Sequence, residues 1–232
     1  MNRRLVLGLA AALPAAAQFD KILGKLGVKT PASGDKSSAG LKEALAIGTE
    51  NAIKLIGKPD GYLKNELIKI LMPEKLRGVE KAMRMGGMGK PIDDFELSMN
   101  RAAESAAPLA TKFFKQAIQD MTFEDARKIV TGGDTSATDF FKGKTQEHLS
   151  AAFKPVIQKA MAEHDVTRQF DAVVGNIRKL PFVKADVPDV EEYVLAKSLG
   201  GLFLMIGEEE KKIRKDPAAQ VTSLLKEVFG KH

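Results

Sequence analysis

The sequence predicts an all-α protein, a single multi-helix domain of about eight helices, and its pattern also allows a minor two-stranded ribbon. Three observations lead there. Apolar residues recur at three-four spacing through most of the chain after residue 38. Gly and Pro fall where such stretches stop and start, at Gly57 and Pro59, Gly86-Gly87, Pro108, Gly132-Gly133 and Asp216-Pro217. No internal repeat or low-complexity tract interrupts the pattern.

Residues 1–17 stand apart from the rest. Arg3-Arg4 is a cationic start, residues 5–17 are nearly all apolar, and Ala15-Ala16-Ala17 supplies small residues for cleavage. These are the three parts of a secretory signal peptide, cut between Ala17 and Gln18. As a helix the apolar run reaches only about 20 Å, short of a ~30 Å hydrocarbon core. No later stretch holds about 18 uninterrupted apolar residues, so the mature chain is expected to be periplasmic or secreted, without a transmembrane span. Residues 18–37, rich in Gly, Lys and Ser, form a flexible entry with one short helix over 19–26, and the helical domain is expected over 38–230.

Leu41, Ala44, Leu45, Gly48, Ala52 and Leu55 form the first amphipathic stripe. Between Gly61 and Pro73 the period changes: Ile68, Ile70 and Met72 alternate with Lys69 and Leu71, as in a short strand whose partner would be 182–187. Pro73 is placed to open a helix running to Met85. The longest periodic stretch, 92–121, carries Phe95, Met99, Ala102, Ala103, Ala106, Ala110, Phe113, Ala117 and Met121 on one stripe, kinked or split at Pro108. Thr122 caps the next helix, with Asp125 in its first turn and Gly132-Gly133 at its end. Helices follow over 136–141, 145–163, 166–179 and 188–215, and a last one runs from Asp216-Pro217 to Gly230.

Composition excludes several function classes. Loss of Arg3 and Arg4 with the leader takes the formal charge from +6 to +4, and the remaining cations are interleaved with acids. With no Trp and two Tyr, the chain lacks the basic, aromatic-studded stripe of a nucleic-acid groove. Cys is absent, which removes thiol catalysis, thiolate metal sites and a lipoprotein anchor, and leaves stability to a packed core. His148, His164 and His232 show no metal-ligand spacing, and Ser98, Ser105 and Ser150 lack a glycine elbow. No cofactor motif is present.

Several strings taken together are distinctive: Gly40-Leu41-Lys42-Glu43-Ala44-Leu45, Gly57-Lys58-Pro59-Asp60-Gly61, Leu97-Ser98-Met99-Asn100-Arg101-Ala102-Ala103-Glu104, Gly132-Gly133-Asp134-Thr135-Ser136-Ala137-Thr138, and the run from Gly201-Leu202-Phe203 to Ile213-Arg214. In these the chain resembles the bacterial domain-of-unknown-function family numbered 4197 over most of its mature length. The resemblance implies an exported, helical, single-domain envelope protein. It transfers no catalytic residue.

Four groups of residues carry the candidate chemistry. Asn100, Arg101 and Glu104 lie within one turn, and Arg101 offers either an anion clamp or an internal pair with Glu104. Gly132, Gly133 and Thr138 surround a helix start whose free N–H groups suit an anion, unless the glycines merely end the preceding helix. Glu209 and Glu210 flank an apolar stripe; an inward carboxylate needs a cation, for which Arg101 is a candidate, or becomes a general acid, while simple helix-surface pairing is the plainer alternative. Phe113, Phe114, Phe203 and Met205 either pack the core or wall an apolar ligand pocket. Two roles follow: an envelope protein binding a lipid or other amphipathic ligand between helices, with Arg101 or Thr138 at the polar end, or an envelope interaction and assembly protein. A third, a hydrolase using Glu209 or Glu210 with Asp134 or Asp139, has no motif behind it.

Overall fold

The computed structural model describes residues 33–177 and 189–215, and all of the described regular structure is helical. The chain divides into a unit of residues 1–36 and one of residues 37–232; of the first, only the opening turn of the first helix is described, and the fold is that of the second. In chain order the helices are α1 (Ser33–Ile56), α2 (Arg77–Met85), α3 (Gly89–Ala106), α4 (Ala110–Gln119), α5 (Phe123–Thr131), α6 (Ser136–Glu163), α7 (Val166–Ile177) and α8 (Val190–Lys215). The leader, the helix expected over 19–26, the strand expected over 182–187 and the helix expected after Asp216 lie outside the described residues.

The hub is α6, which packs against α8, α3, α4, α5 and α7. Its core side, Phe141, Leu149, Phe153 and Ile157, is fully buried. At the centre Phe114 of α4 meets Phe141 edge-on at 5.2 Å and Phe203 of α8 at 6.1 Å, while Phe95 of α3 meets Phe170 of α7 at 5.3 Å. Each such ring contributes roughly 1.5–3 kcal/mol by leaving water. The alanines of α3, Ala102, Ala103 and Ala106, are wholly buried and let neighbouring helices approach closely.

Most boundaries fall where sequence signals put them. A 3₁₀ turn over Ala107–Leu109 separates α3 from α4 at Pro108. Thr122 and Asp125 form a reciprocal capping box on α5, and Gly132 ends that helix. Four details differ from expectation. The helices expected over 136–141 and 145–163 are one helix, because Gly143 is tolerated by a segment packed on five neighbours. Pro155 lies inside it, and the carbonyl it cannot serve, that of Ala151, is at an exposed residue where water can take it. Pro73 caps a 3₁₀ turn, Glu74–Leu76, ahead of α2, since its own backbone is extended. The 3₁₀ turn at Pro108 also shifts the helical phase, so Phe114 rather than Phe113 enters the core, and at the end of α1 Ile56 is buried in place of Leu55.

Residues 57–73 form no strand. They run over α3 as an irregular strap, and the alternation seen in the sequence is real: Ile68, Ile70 and Met72 are buried, while Leu71 is exposed and Lys69 partly so. Among the described residues the groups that meet this stretch are side chains of a helix.

Candidate functional site

The strap raises an accounting problem, because its buried backbone amides have no strand beside them among the described residues. The polar ladder Glu96, Asn100 and Glu104, spaced by four along α3, answers it. The N–H of Met72 donates to Glu96 Oε1 at 3.1 Å, and the N–H groups of Tyr62 and Leu63 donate to Glu104 Oε1 at 3.0 and 3.2 Å. Asn100 treats Ile70 as a strand neighbour would: its Oδ1 accepts the Ile70 N–H at 2.9 Å and its Nδ2 donates to the Ile70 carbonyl at 2.8 Å. The same amide also donates to the Glu96 carbonyl at 2.7 Å. The spacings match physically, since two extended residues advance about 6.6 Å and one four-residue helix step about 6 Å.

Arg101 closes this network. Its guanidinium donates to Glu104 Oε2 and to Asp60 Oδ1, both at 2.7 Å, and the Glu104 bond in particular raises its pKa above the ordinary arginine value. Asp60, at a positive φ of 68°, is held below the usual carboxylate range by its bonds to Lys64 and then Arg101. Gly61 follows because any Cβ there would meet the Ile56 carbonyl oxygen at 2.5 Å. Tyr62 is wholly buried, and its hydroxyl donates to the Ser198 carbonyl of α8 at 2.7 Å. Burial pushes that phenol well above its ordinary range, and the Glu104 charge adds to the effect. Gly201 makes room for the ring, since a Cβ there would lie 2.7 Å from Tyr62 Cε1.

The second cluster sits at the start of α6. Glu210, buried on α8, accepts from the backbone N–H groups of Ala137 and Thr138 at 2.9 and 2.8 Å and from the Thr138 hydroxyl at 2.8 Å. Arg214 donates to it through Nε and Nη2 and reaches on to the Ile129 carbonyl at the end of α5. The helix start therefore does hold an anion, and that anion is the protein's own carboxylate. Its cation is Arg214, one turn along, rather than Arg101. Glu209 is less buried and faces Lys212 at 3.8 Å; Asp134 pairs with Lys215, which holds its carboxyl below the ordinary range. Gly132 ends α5 and Gly133 precedes α6; neither N–H meets a side chain among the described residues.

Among the described residues two cavities of ligand size flank α6. An open groove of about 460 Å³ between α6 and α8 is floored by Leu199, Phe203 and Leu204, with Thr138 and Lys142 on its α6 wall and Gly200 and Gly207 on its α8 wall. A smaller one, of about 290 Å³, lies between α4 and α6 and includes Phe113. Phe114 and Met205 belong to the core, and Met205 sulfur accepts a hydrogen bond from the Asn65 amide at 3.5 Å. The structure thus places Thr138 and Phe203 together and keeps Arg101 with Asn100 and Glu104 at the strap. Sequence reasoning missed Tyr62, Glu96 and Arg214. The four-residue recurrence of polar residues at 96, 100 and 104 within an apolar stripe, and the Glu210 to Arg214 spacing, were the available signals.

Among the described residues no three His, Asp or Glu side chains gather as a metal-ligand set, and no helix is long and apolar enough to cross a membrane. No curated protein and no solved structure matches the chain. A family model covers residues 32–230, the strap, both carboxylate clusters and both cavities among them, and the chain belongs to that family, DUF4197, a family of proteins of unknown function.

Proposed function

We propose that this is an exported envelope protein that holds an amphipathic ligand in the groove between α6 and α8. The observation behind the reading is the groove itself. Its volume lies within the ~300–1,000 Å³ range of small-molecule sites, and its apolar floor is continuous with the core through Phe203. The Thr138 hydroxyl hydrogen is given to Glu210, so the polar side chains open at the α6 wall are Asp139, Lys142 and Gln146, and Lys142, with no ion pair among the described residues, is the cation of the three. The strap and the Glu210 cluster serve as framework. The buried carboxylates Glu104 and Glu210 are met by backbone amides and guanidinium groups.

A Cβ at Gly200 would meet nothing within 4 Å, so a larger side chain there fills the groove without touching the core. With a fluorescent fatty acid as probe, the mature chain is expected to show saturable binding, and Gly200→Phe about tenfold weaker binding with an unchanged circular dichroism spectrum. Equal binding by both proteins would sink the reading. Fractionation and N-terminal sequencing test the address: the mature chain is expected in the periplasm or medium, beginning at Gln18.

An assembly role is the second reading, favoured by Leu67 and Leu71, which stand 64% and 46% exposed on the strap. Crosslinking from Leu67 in intact cells separates the two readings, since a specific protein adduct belongs only to assembly.

A further inference from the structure

The cavity between α4 and α6 has a different chemistry from the groove and lies on a different face of α6. Two phenylalanine rings line it, and each carries an ammonium group: Lys112 Nζ lies 4.8 Å from the centre of Phe113, and Lys144 Nζ 5.9 Å from that of Phe140. Such contacts hold the cations close to the rings, and of the two Lys144 lines the cavity. Lys144 and His148 stand one turn apart on α6, and neither forms an ion pair or a side-chain hydrogen bond among the described residues. The other polar groups have partners within the cavity wall, although Asp120 keeps its charge. Both oxygens of Asp120 accept from the Gln116 amide at 2.9 Å, and the buried Thr145 hydroxyl donates to the Phe141 carbonyl at 2.7 Å.

What meets a ligand is therefore aromatic surface, with a cation and an imidazole on the α6 side and the Asp120 carboxylate on the α4 side. We propose that this cavity binds a small aromatic carboxylate, its ring against Phe113 and Phe140 and its carboxylate toward Lys144 and His148. The volume of about 290 Å³, at the lower edge of the usual range for ligand sites, limits the guest to a single ring with a short acidic arm. Charge selects the acid over a neutral isostere, because only an anionic guest adds an ion pair to the hydrogen bond from the Lys144 ammonium.

The test is a titration of the mature, isotopically labelled chain with benzoate, followed by the amide resonances of Ala117 and Thr145. Saturable shifts are expected, with benzyl alcohol about tenfold weaker, Lys144→Gln about tenfold weaker and Phe140→Leu also weakened. Both replaced side chains lie outside the fully buried core, so folding is retained and is checked by circular dichroism. Gly200→Phe is expected to bind benzoate as the parent does, which separates this site from the groove. Absence of saturation, equal binding of benzoate and benzyl alcohol, or parental affinity in Lys144→Gln would each overturn the proposal.

Discussion

The strap over α3 and the start of α6 solve one problem by opposite means. Along the strap, several neutral and acidic side chains each serve one or two amides of an irregular stretch. At the α6 start a single carboxylate serves two amides, a hydroxyl and a guanidinium. The strap is a distributed fastening and Glu210 a concentrated one. A distributed fastening loses part of its grip with each side chain, whereas a concentrated one fails with one residue.

The largest effect is therefore expected from Glu210→Ala. It leaves the Arg214 guanidinium and two helix-start amides without their shared acceptor, at a cost of about 3–5 kcal/mol in urea-unfolding free energy. Asn100→Ala should cost less, about 2–3 kcal/mol, because the Ile70 peptide group and the Glu96 carbonyl lose a partner while Glu96 and Glu104 still hold the strap. If Asn100→Ala proves the costlier of the two, the distinction between distributed and concentrated fastening is wrong. Two glycines of α8 sharpen the same contrast. Gly201→Ala drives a methyl into the Tyr62 ring and should cost about 1–3 kcal/mol. Gly207→Ala meets Thr138 and Thr135 only at ordinary contact distance, so helix propensity prevails and melting should rise, by up to about 1 kcal/mol.

The smallest effect concerns pH. Burial raises the Glu96 carboxyl above its ordinary value, against the Met72 hydrogen bond that favours the charge; Glu80 adds to the rise, while Lys69 and Arg84 oppose it. A folded-state pKa above the unfolded one means that this group opposes folding once ionised: its contribution is most favourable below the unfolded value near 4.5 and declines as pH rises through the folded one. Glu96→Gln keeps an acceptor for Met72 and should be slightly more stable than the parent at pH 7, with the advantage vanishing at pH 4. A variant less stable than the parent at pH 7 would show that the Glu96 charge supports the strap.

The all-helical class and most caps were legible because they depend on local rules: spacing, proline, glycine and the Thr122 box. The strap was legible in its alternation and illegible in its partner. Period two reports which side chains face inward and is silent on what meets the backbone, and a helix offering Glu96, Asn100 and Glu104 satisfies that backbone as a strand would. Arg101 with Glu104 could be seen at three residues' separation; Asp60 could not, since nothing local joins residues 41 positions apart. The α6 start was recognised as a place for an anion, but Glu210 lies 72 residues away from Thr138 and only the fold brings them together. The groove at Phe203 depends on how two long helices diverge, which spacing along either one does not encode.

The pairing of Ile70 with Asn100 gives the strap a reading frame. Substitutions at Lys69 or Leu71 leave the frame intact, because Leu71 is exposed and the Lys69 ammonium only approaches Glu96, at 4.0 Å, while the grip itself is on the Ile70 backbone. Gain or loss of a single residue just before Ile70 does not: it would bring Lys69 or Leu71 to the position that Asn100 grips and turn Ile68 toward water, as a one-residue slip does in any extended segment. A change of length that keeps this register belongs in the turns between Leu63 and Ile68, away from the residue that Asn100 holds.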